Sequence, residues 1–336
     1  SMTGELSCGS CHEQDKGFTV AEATHEGATG DYTPRNALGL ANVAYAPLLT
    51  WGNPTLATLE DHMLNPLFGD NPVEMGAGFI SGSSNHYDPQ RLLGLVAQEE
   101  TYQLRFDEAF ADLSADERVT WTTAIDAIAC FQRSLISFDS PWDRWRAGDE
   151  AALTPEQVQG RDLFFSERLA CGTCHAGALL SLAFPTDGSE AEFDAMFRNT
   201  GLYNLAQGEV AYLDGSRSRY PSPNNGIGEF TQRPEDDGKH RIPSLRNVAE
   251  TAPYMHDGSV ATLDEVLDHY ARGGRLLTEE PYAGDGHDNP TKDPLIAGFT
   301  LTSEERQAVI AFLESLSDQG FLADPRFADP RSLPAR

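Results

Sequence analysis

Cys8-Gly9-Ser10-Cys11-His12 and Cys171-Gly172-Thr173-Cys174-His175 are two copies of one short pattern. The pattern C-x-x-C-H is the attachment signature of c-type haem. A redox-active C-x-x-C pair and half of a zinc site are the competing interpretations. The composition predicts roughly 0.002 chance copies per chain. The two copies also begin 163 positions apart (171 − 8), which is much farther than the paired cysteines of a zinc ribbon. The sequence therefore predicts two covalently attached haems.

The residues of the two motifs have separate tasks. Four thiols would form thioether bonds to the porphyrin vinyl groups: Cys8, Cys11, Cys171 and Cys174. The histidine after each pair, His12 or His175, is placed to be the proximal iron ligand. The fifth cysteine, Cys130, lies in a helical stretch, where a lone thiol is typical of a small buried hydrophobic residue.

Composition and charge exclude several classes of function. A chain of 336 residues with 40% hydrophobic residues usually makes two domains with full cores. No apolar run is long enough to span a bilayer. The formal charge of −28 argues against nucleic acid or an anionic membrane as a partner. Covalent haem attachment, with the first motif starting at residue 8, leads us to expect a periplasmic protein whose export signal has been removed.

Helix signals dominate the rest of the chain. Thr154, Thr262 and Thr302 each begin a capping pattern that ends three residues later in Gln or Glu. Apolar residues at helical spacing predict helices over 116–138 and 303–316. No window alternates with period two, so we expect few strands. The tracts 214–241 and 281–298, rich in Gly, Pro and Asn, predict long loops.

Residues 140–149 are the natural boundary between the two halves. We therefore predict a mostly α protein with long loops and little β structure, made of two tandem cytochrome c-like haem domains. The first domain would span residues 1–146 and the second residues 147–336. A haem that transfers electrons has both axial positions filled, whereas a catalytic haem keeps one open. Composition alone does not decide which haem is which.

Several further strings closely resemble the bacterial di-haem cytochrome c peroxidase/MauG superfamily. They are Ile242-Pro-Ser-Leu-Arg-Asn-Val248, Thr251-Ala-Pro-Tyr-Met-His-Asp-Gly-Ser-Val260, Asn65-Pro66, Asn71-Pro-Val-Glu-Met75, Ser140-Pro-Trp-Asp-Arg-Trp145 and Gly160-Arg-Asp-Leu-Phe164. Residues 31–45 and 49–54 are similar to the MbnH branch, whose members oxidise a tryptophan of a partner metalloprotein. The resemblance covers nearly the whole chain.

Tyr270 is the residue on which the resemblance says most. It lies on the predicted helix after Thr262, on one face with Val266 and Leu267, where a tyrosine is ordinarily a core aromatic residue. The resemblance implies instead that Tyr270 ligates the iron of the second haem, at a position that is methionine in ordinary di-haem peroxidases. A phenolate is a hard anionic ligand that stabilises Fe(III) and higher states. Met255 is set aside, because relatives carry an aromatic residue there.

The resemblance makes the haem on His12 the peroxide site. It implies that Glu74 is the distal acid that shuttles a proton, and that Pro66 packs over the iron and keeps the sixth position open. Without the resemblance, a surface carboxylate and a turn proline are the ordinary interpretations. His25 lies about three positions from a distal histidine that some relatives carry, so we interpret it as a loop residue.

The remaining site assignments also come from the resemblance. Trp51 would lie between the haems and pass oxidising equivalents. Asn36, Thr251 and Pro253 would hold one Ca²⁺ between the haems through a side-chain oxygen and backbone carbonyls. His256 would lie near the second haem without ligating it. Five histidines receive no role and are expected mostly at the surface: His62, His86, His240, His269 and His287. Structural roles are favoured for Trp121, Trp142 and Trp145.

The main functional hypothesis is a MauG/MbnH-like enzyme. It would use hydrogen peroxide to form a high-valent state shared by both haems through Trp51. It would then oxidise a residue of a partner protein such as a small periplasmic metalloprotein, and tryptophan is the residue we expect. The first alternative is a conventional di-haem cytochrome c peroxidase with a small cytochrome or cupredoxin as electron donor. The second is a non-enzymatic electron-transfer protein with two six-coordinate haems.

Overall fold

The computed structural model describes residues 1–78, 88–184, 192–206 and 208–329. Helices dominate these residues. The α-helices are α1 (Leu59–Phe68), α2 (Gln90–Gln98), α3 (Glu100–Ala109), α4 (Trp121–Ser134), α5 (Pro141–Arg146), α6 (Pro155–Phe164), α7 (Gly228–Thr231), α8 (Leu263–Arg272), α9 (Ser303–Glu314) and α10 (Gln319–Leu322). Short 3-10 turns join them, and none of the described helices is long and apolar enough to cross a membrane.

The strands of the described residues are few and short, as predicted. β1 (Phe197–Arg198) pairs antiparallel with β2 (His240–Arg241), and β3 (Leu276–Leu277) pairs antiparallel with β4 (Gly284–Asp285). The tracts 214–241 and 281–298 consist mainly of turns and loops. The expectation of a mostly α protein with little β structure is therefore confirmed.

The three predicted helix starts are confirmed. Thr154, Thr262 and Thr302 are the N-caps of α6, α8 and α9, and each accepts a hydrogen bond from the backbone N–H three residues later. The side chain of that third residue bonds back to the N-cap N–H, which completes a capping box. These starts depend on contacts within four residues, which is why the sequence reveals them.

The helix predicted over 116–138 is shorter than expected. α4 begins after its N-cap Thr120 and ends before its C-cap Leu135, whose ψ of 72° leaves the helical region. The chain there bonds to another segment, because the carbonyl of Leu135 accepts from the N–H of Asn42 at 2.7 Å. The expectation of a buried Cys130 is wrong: its side chain is exposed, since α4 buries the adjacent Ala129 and the face that contains it.

The largest core cluster packs α6 against α9. It contains Phe164 from α6, Phe312 and Leu313 from α9, and Trp142 from α5. Leu267 of α8 joins this cluster, and the partly buried Cys171 packs against it. The core therefore fixes the position of the second C-x-x-C-H motif relative to α8, the helix that carries Tyr270.

The contact between α6 and α9 requires a glycine at position 160. A methyl group on Gly160 would overlap the carbonyl oxygen of Ala308 and touch Phe312. We predict that Gly160→Ala lowers stability by about 2–3 kcal/mol, because an overpacked core must shift its backbone. The measurement is the guanidinium unfolding midpoint of the holoprotein. Gly94→Ala in α2 is the matched control: nothing lies within 4 Å of its new methyl group, so it should stabilise by about 0.5–1 kcal/mol.

The last described segment packs against the first half of the chain. Phe321 of α10 contacts Phe18 with ring centroids 5.6 Å apart, and both belong to a cluster with Leu135. The buried Ser137 hydroxyl donates to Asp318 at 3.2 Å. Residues 318–321 thus help to hold the segment that follows the first motif. The division into domains 1–146 and 147–336 stays a prediction.

Candidate functional site

The two C-x-x-C-H motifs adopt the same local conformation. Each begins with a 3-10 turn, Cys8–Ser10 in the first motif and Cys171–Thr173 in the second. The N–H of His12 donates to the carbonyl of Cys8 at 3.0 Å, and the N–H of His175 donates to the carbonyl of Cys171 at 2.9 Å. Because both motifs fold alike, the difference between the two sites must come from the residues around them.

Both motif histidines are oriented as metal ligands usually are. Nδ1 of His12 lies 2.7 Å from the carbonyl oxygen of Phe18, and Nδ1 of His175 lies 2.9 Å from that of Leu180. A carbonyl can only accept, so Nδ1 carries the hydrogen and Nε2 keeps the lone pair that binds iron. Burial lowers the pKa of His175 to about 4 and also lowers that of His12. Both rings are therefore neutral.

The carbonyls that orient these histidines come from strained residues. Phe18 has φ 63° and Leu180 has φ 52°, and both side chains are buried. Left-handed backbone is costly for a residue with a Cβ and persists where the surroundings enforce it. The repeated strain indicates that the fold enforces the same histidine orientation at both motifs.

One cavity of about 400 Å³ is lined by most of the residues predicted to lie at the second haem and between the haems. Its wall includes Cys171, Cys174, His175, Tyr270, Trp51, Asn36, Thr251, Pro253 and His256. Burial raises the pKa of Tyr270, and the nearby thiol groups of Cys174 and Cys171 raise it further. Without a metal the phenol is therefore protonated, and it lines the same cavity as the second motif.

The cavity wall fits a haem, which carries two carboxylate groups. His240 Nε2, His256 Nε2 and Arg241 Nη1 are buried and have no hydrogen-bond partner. A buried polar atom without a partner costs free energy that a carboxylate would recover. Burial lowers the pKa of Arg241 only to about 10, so it is a cation at neutral pH. The donor set of this cavity is thus suited to an anionic macrocycle attached at the second motif.

Pro66 and Glu74 lie together beside the first motif. Pro66 is near the end of α1, and its carbonyl accepts from the N–H of Met75 at 3.0 Å. The Glu74 carboxylate is close enough to Cys11 to raise the pKa of that thiol, after burial, to about 11. Burial also raises the pKa of Glu74 itself. A half-buried carboxyl group with a raised pKa is the kind of group that transfers protons at neutral pH.

His62 is a residue of this site that the sequence analysis did not identify. It lies four residues before Pro66 on α1 and therefore on the same face of that helix. Burial lowers the pKa of His62 to about 4, and the nearby His12 lowers it as well. A neutral imidazole thus lies on the same helix face as Pro66, close to His12. The i,i+4 spacing of His62 and Pro66 was the signal that could have revealed it.

His25 also lies close to the first motif, since its charge contributes to the low pKa of His12. Nδ1 of His25 is 2.9 Å from the carbonyl of Glu26. The N–H of Ala28 donates to the carbonyl of Glu74 at 2.8 Å. The loop that carries His25 is therefore tied to the Glu74 segment.

The segment around Trp51 links the proposed calcium ligands to the second cavity. The indole N–H of Trp51 donates to the carbonyl of Asn36 at 2.8 Å, and the N–H of Asn36 donates to the carbonyl of His256 at 2.8 Å. The amide nitrogen of Asn36 points to the carbonyls of Glu22 and Ala23, which leaves its Oδ1 as an acceptor. Thr251 and Pro253 line the same cavity as Asn36.

The other histidines are divided between surface and interior. His287 is exposed, as expected. His240 and His269 are 8% and 4% exposed, so the expectation of surface positions is wrong for both. His86 lies outside the described residues. Trp142 is in the main core and Trp145 packs against it.

Comparison with known proteins identifies the family. Residues 1–151 match the family model of the di-haem cytochrome c peroxidases. The chain is 31% identical to cytochrome-c peroxidase IdrP1 of Pseudomonas sp. (strain SCT) over 99% of this chain and 80% of that protein. The chain belongs to the di-haem cytochrome c peroxidase/MauG superfamily. It is therefore a peroxidase-type oxidoreductase with two c-type haems, and its oxidant is hydrogen peroxide.

Two further relatives come from the MauG side of this superfamily. The methylamine utilization protein MauG of Methylorubrum extorquens is 26% identical over 94% of this chain and 74% of that protein. A crystal structure of a MauG-like protein associated with microbial copper homeostasis is 43% identical, with a TM-score of 0.87, over 98% of this chain and 89% of that chain. The di-haem enzyme thus has relatives in both functional groups of the superfamily.

Proposed function

We propose that this di-haem enzyme uses hydrogen peroxide to oxidise a tryptophan residue of a partner protein, in the manner of MauG-like and MbnH-like enzymes. The partner would be a small periplasmic metalloprotein. The proposal is supported by the 43% identity to a MauG-like protein associated with copper homeostasis. The charge of −28 would favour a partner with a basic surface.

The observation that carries the proposal is the tyrosine in the second cavity. Tyr270 shares the cavity wall with His175, and its phenol is near both cysteines of the second motif. Tyr270 would hold the iron of the second haem together with His175. A phenolate ligand stabilises oxidised iron, so this haem would accept electrons from a donor cytochrome poorly. It is suited instead to hold an oxidising equivalent until a protein side chain delivers an electron.

The residues around the first motif would manage the protons of peroxide. The haems supply the iron that takes up the two oxidising equivalents. Glu74 takes a proton from one peroxide oxygen and returns it to the other as the O–O bond breaks. The Pro66 side chain is apolar and has no atom that could bind iron. It would therefore leave the sixth position of the first haem iron open. Trp51 would carry electrons between the two sites.

The remaining assignments are part of the same proposal. Asn36 Oδ1 and the carbonyls of Thr251 and Pro253 would bind one Ca²⁺, an ion that prefers such oxygen ligands. We place the enzyme in the periplasm, where haem is attached to C-x-x-C-H motifs. The residues 1–146 and 147–336 would form one haem domain each, with Glu74 in the first and Tyr270 in the second.

The test mixes the as-isolated ferric holoprotein with one equivalent of hydrogen peroxide. We expect an absorption change without pre-reduction, and a two-electron-oxidised state that lasts far longer than a peroxidase turnover, which is typically about 1–10³ per second. Adding reduced small cytochrome c as the probe donor should give slow turnover only. A requirement for pre-reduction, followed by rapid turnover with the cytochrome, would contradict the proposal.

The second candidate function is a conventional cytochrome c peroxidase that takes electrons from a small cytochrome or cupredoxin. It is favoured by the 31% identity to cytochrome-c peroxidase IdrP1 over almost the whole chain. The same experiment distinguishes the two functions, because a conventional peroxidase must return to its resting state rapidly with reduced cytochrome c.

A further inference from the structure

Two buried histidines are stacked on the wall of the second cavity. The rings of His240 and His256 have centroids 3.6 Å apart and planes inclined by 12°. Their exposed fractions are 8% and 6%. Both rings line the cavity that Cys171, Cys174 and His175 also line. On each ring Nε2 is buried and has no hydrogen-bond partner, so the two free nitrogens belong to one small region of the wall.

The hydrogen on His240 can be located from its partner. Nδ1 of His240 is 3.1 Å from the carbonyl oxygen of Gly238. Because a carbonyl only accepts, Nδ1 carries the hydrogen, and the neutral ring presents the lone pair of Nε2 to the cavity. Nε2 of His256 has no such constraint and can carry an N–H. The pair thus offers one acceptor and one possible donor on two stacked rings.

An acceptor beside a donor matches a carboxyl group. The O–H of a carboxylic acid can donate to Nε2 of His240 while its second oxygen accepts from Nε2–H of His256. If the proton moves to His240, the same contact becomes an imidazolium–carboxylate pair. In both cases one proton lies between His240 and the carboxyl group, and no bond other than that to the proton changes.

We propose that His240 and His256 form the binding site for one carboxyl group of the haem attached at the second motif. A c-type haem brings this group into the cavity because its attachment cysteines line the same wall. His240 shares a proton with the carboxyl group and is a positioning residue for the haem. The assignment concerns the cofactor and does not depend on which molecule the enzyme oxidises.

The charges around the pair favour this arrangement. The groups around His240 are His256, Arg35, Asp257 and Tyr220. Arg35 is paired with Glu229, whereas Nη1 of Arg241 has no partner. Arg241 also lines this cavity, so a carboxyl group bound there would share the cavity with one cation that has an unpaired nitrogen. Asp257, the carboxylate among the groups around His240, accepts a hydrogen bond from the Tyr203 hydroxyl at 2.7 Å.

The test uses the holoprotein and His240→Phe, which keeps a ring stacked on His256. Resonance Raman spectra in H₂O and D₂O report on hydrogen bonds to haem propionates. In the parent protein we expect one propionate bending band to shift in D₂O, and this shift should be lost in His240→Phe. The reduction potential of the haem at the second motif should fall, because a carboxylate without its shared proton stabilises ferric iron.

Two companion variants make the result decisive. His240→Gln can still form one hydrogen bond and should retain the D₂O-sensitive band; it also serves if the phenylalanine variant incorporates haem poorly. His287→Phe is the matched control, since Nδ1 of His287 also faces a carbonyl but the ring is not on the cavity wall. A haem-loaded His240→Phe protein with the parent's D₂O shift and potential would overturn the proposal, as would equal changes in His287→Phe.

Discussion

Replacing Glu74 with glutamine is expected to slow the reaction of the ferric holoprotein with hydrogen peroxide by about 10²–10⁴-fold, the usual contribution of a positioned proton-transfer group. Glutamine keeps the size and hydrogen-bonding capacity of the side chain but does not take up a proton. The carboxyl group is half-buried beside the first motif, where bulk water is a poor substitute. The measurement is the second-order rate constant for the peroxide-induced absorption change in a stopped-flow instrument.

The pH dependence of this rate gives a second, independent measure. Burial raises the pKa of Glu74 above 4.5, so its carboxylate form appears at higher pH than that of an exposed glutamate. Because the carboxylate accepts the peroxide proton, the rate should fall as the pH drops through the raised pKa. This fall should be absent from Glu74→Gln, whose rate is already low.

Glu22→Gln is the matched control for this prediction. Glu22 is an exposed carboxylate that also acts electrostatically on Cys11, so its replacement removes a similar charge without a proton-transfer role. Its rate should stay within about twofold of the parent rate. If Glu74→Gln and Glu22→Gln have equal effects, Glu74 acts only through its charge and the assignment is wrong.

The parts of this molecule that could be predicted from the sequence depend on neighbours a few residues apart. The C-x-x-C-H motifs form their turns from five consecutive residues. The caps at Thr154, Thr262 and Thr302 need only the following turn. In these cases the spacing of residues along the chain determines the local geometry. The turn or cap can therefore be predicted from the order of the residues.

The parts that could not be predicted depend on contacts between distant segments. His240 appeared to be a surface residue because its own neighbours in sequence are polar, but β1 and the segment around His256 enclose it. His62 acquires its importance only when α1 lies beside His12. The left-handed backbone of Phe18 and Leu180 has no sequence signal, since neither residue favours that conformation.

The structure turns two equal motifs into unequal sites. Both motif histidines follow the same turn and have the same tautomer. The carbonyl that each one contacts belongs to a residue with left-handed backbone, Phe18 or Leu180. Near the first lie an imidazole and a carboxyl group, those of His62 and Glu74, which act electrostatically on His12 and Cys11 respectively. The second is accompanied by a phenol, that of Tyr270, which loses its proton only to a strong base or a metal. The residues that distinguish the two sites therefore lie on α1, α8 and the Glu74 segment.

Replacing Tyr270 with phenylalanine is expected to abolish the low-spin ferric signal of the second haem completely. Phenylalanine fills the same space but has no oxygen to bind iron, so this haem would become high-spin in the electron paramagnetic resonance spectrum. Tyr270→Met should remain low-spin with a higher reduction potential, because a thioether favours Fe(II). The change should be a sizeable part of the roughly 0.8 V range that axial ligands cover.

Tyr254→Phe separates ligation from a general effect of removing a phenol. Tyr254 lines the same cavity, and burial raises the pKa of its phenol to about 12, so it resembles Tyr270 in all but the proposed ligation. Its low-spin signal should match that of the parent. An unchanged signal in Tyr270→Phe would refute ligation, and with it the reason for expecting a long-lived oxidised state. If Tyr270→Met reacted with peroxide as the parent does, including the long-lived oxidised state, the phenolate would be an iron ligand that is not needed to hold the oxidising equivalent.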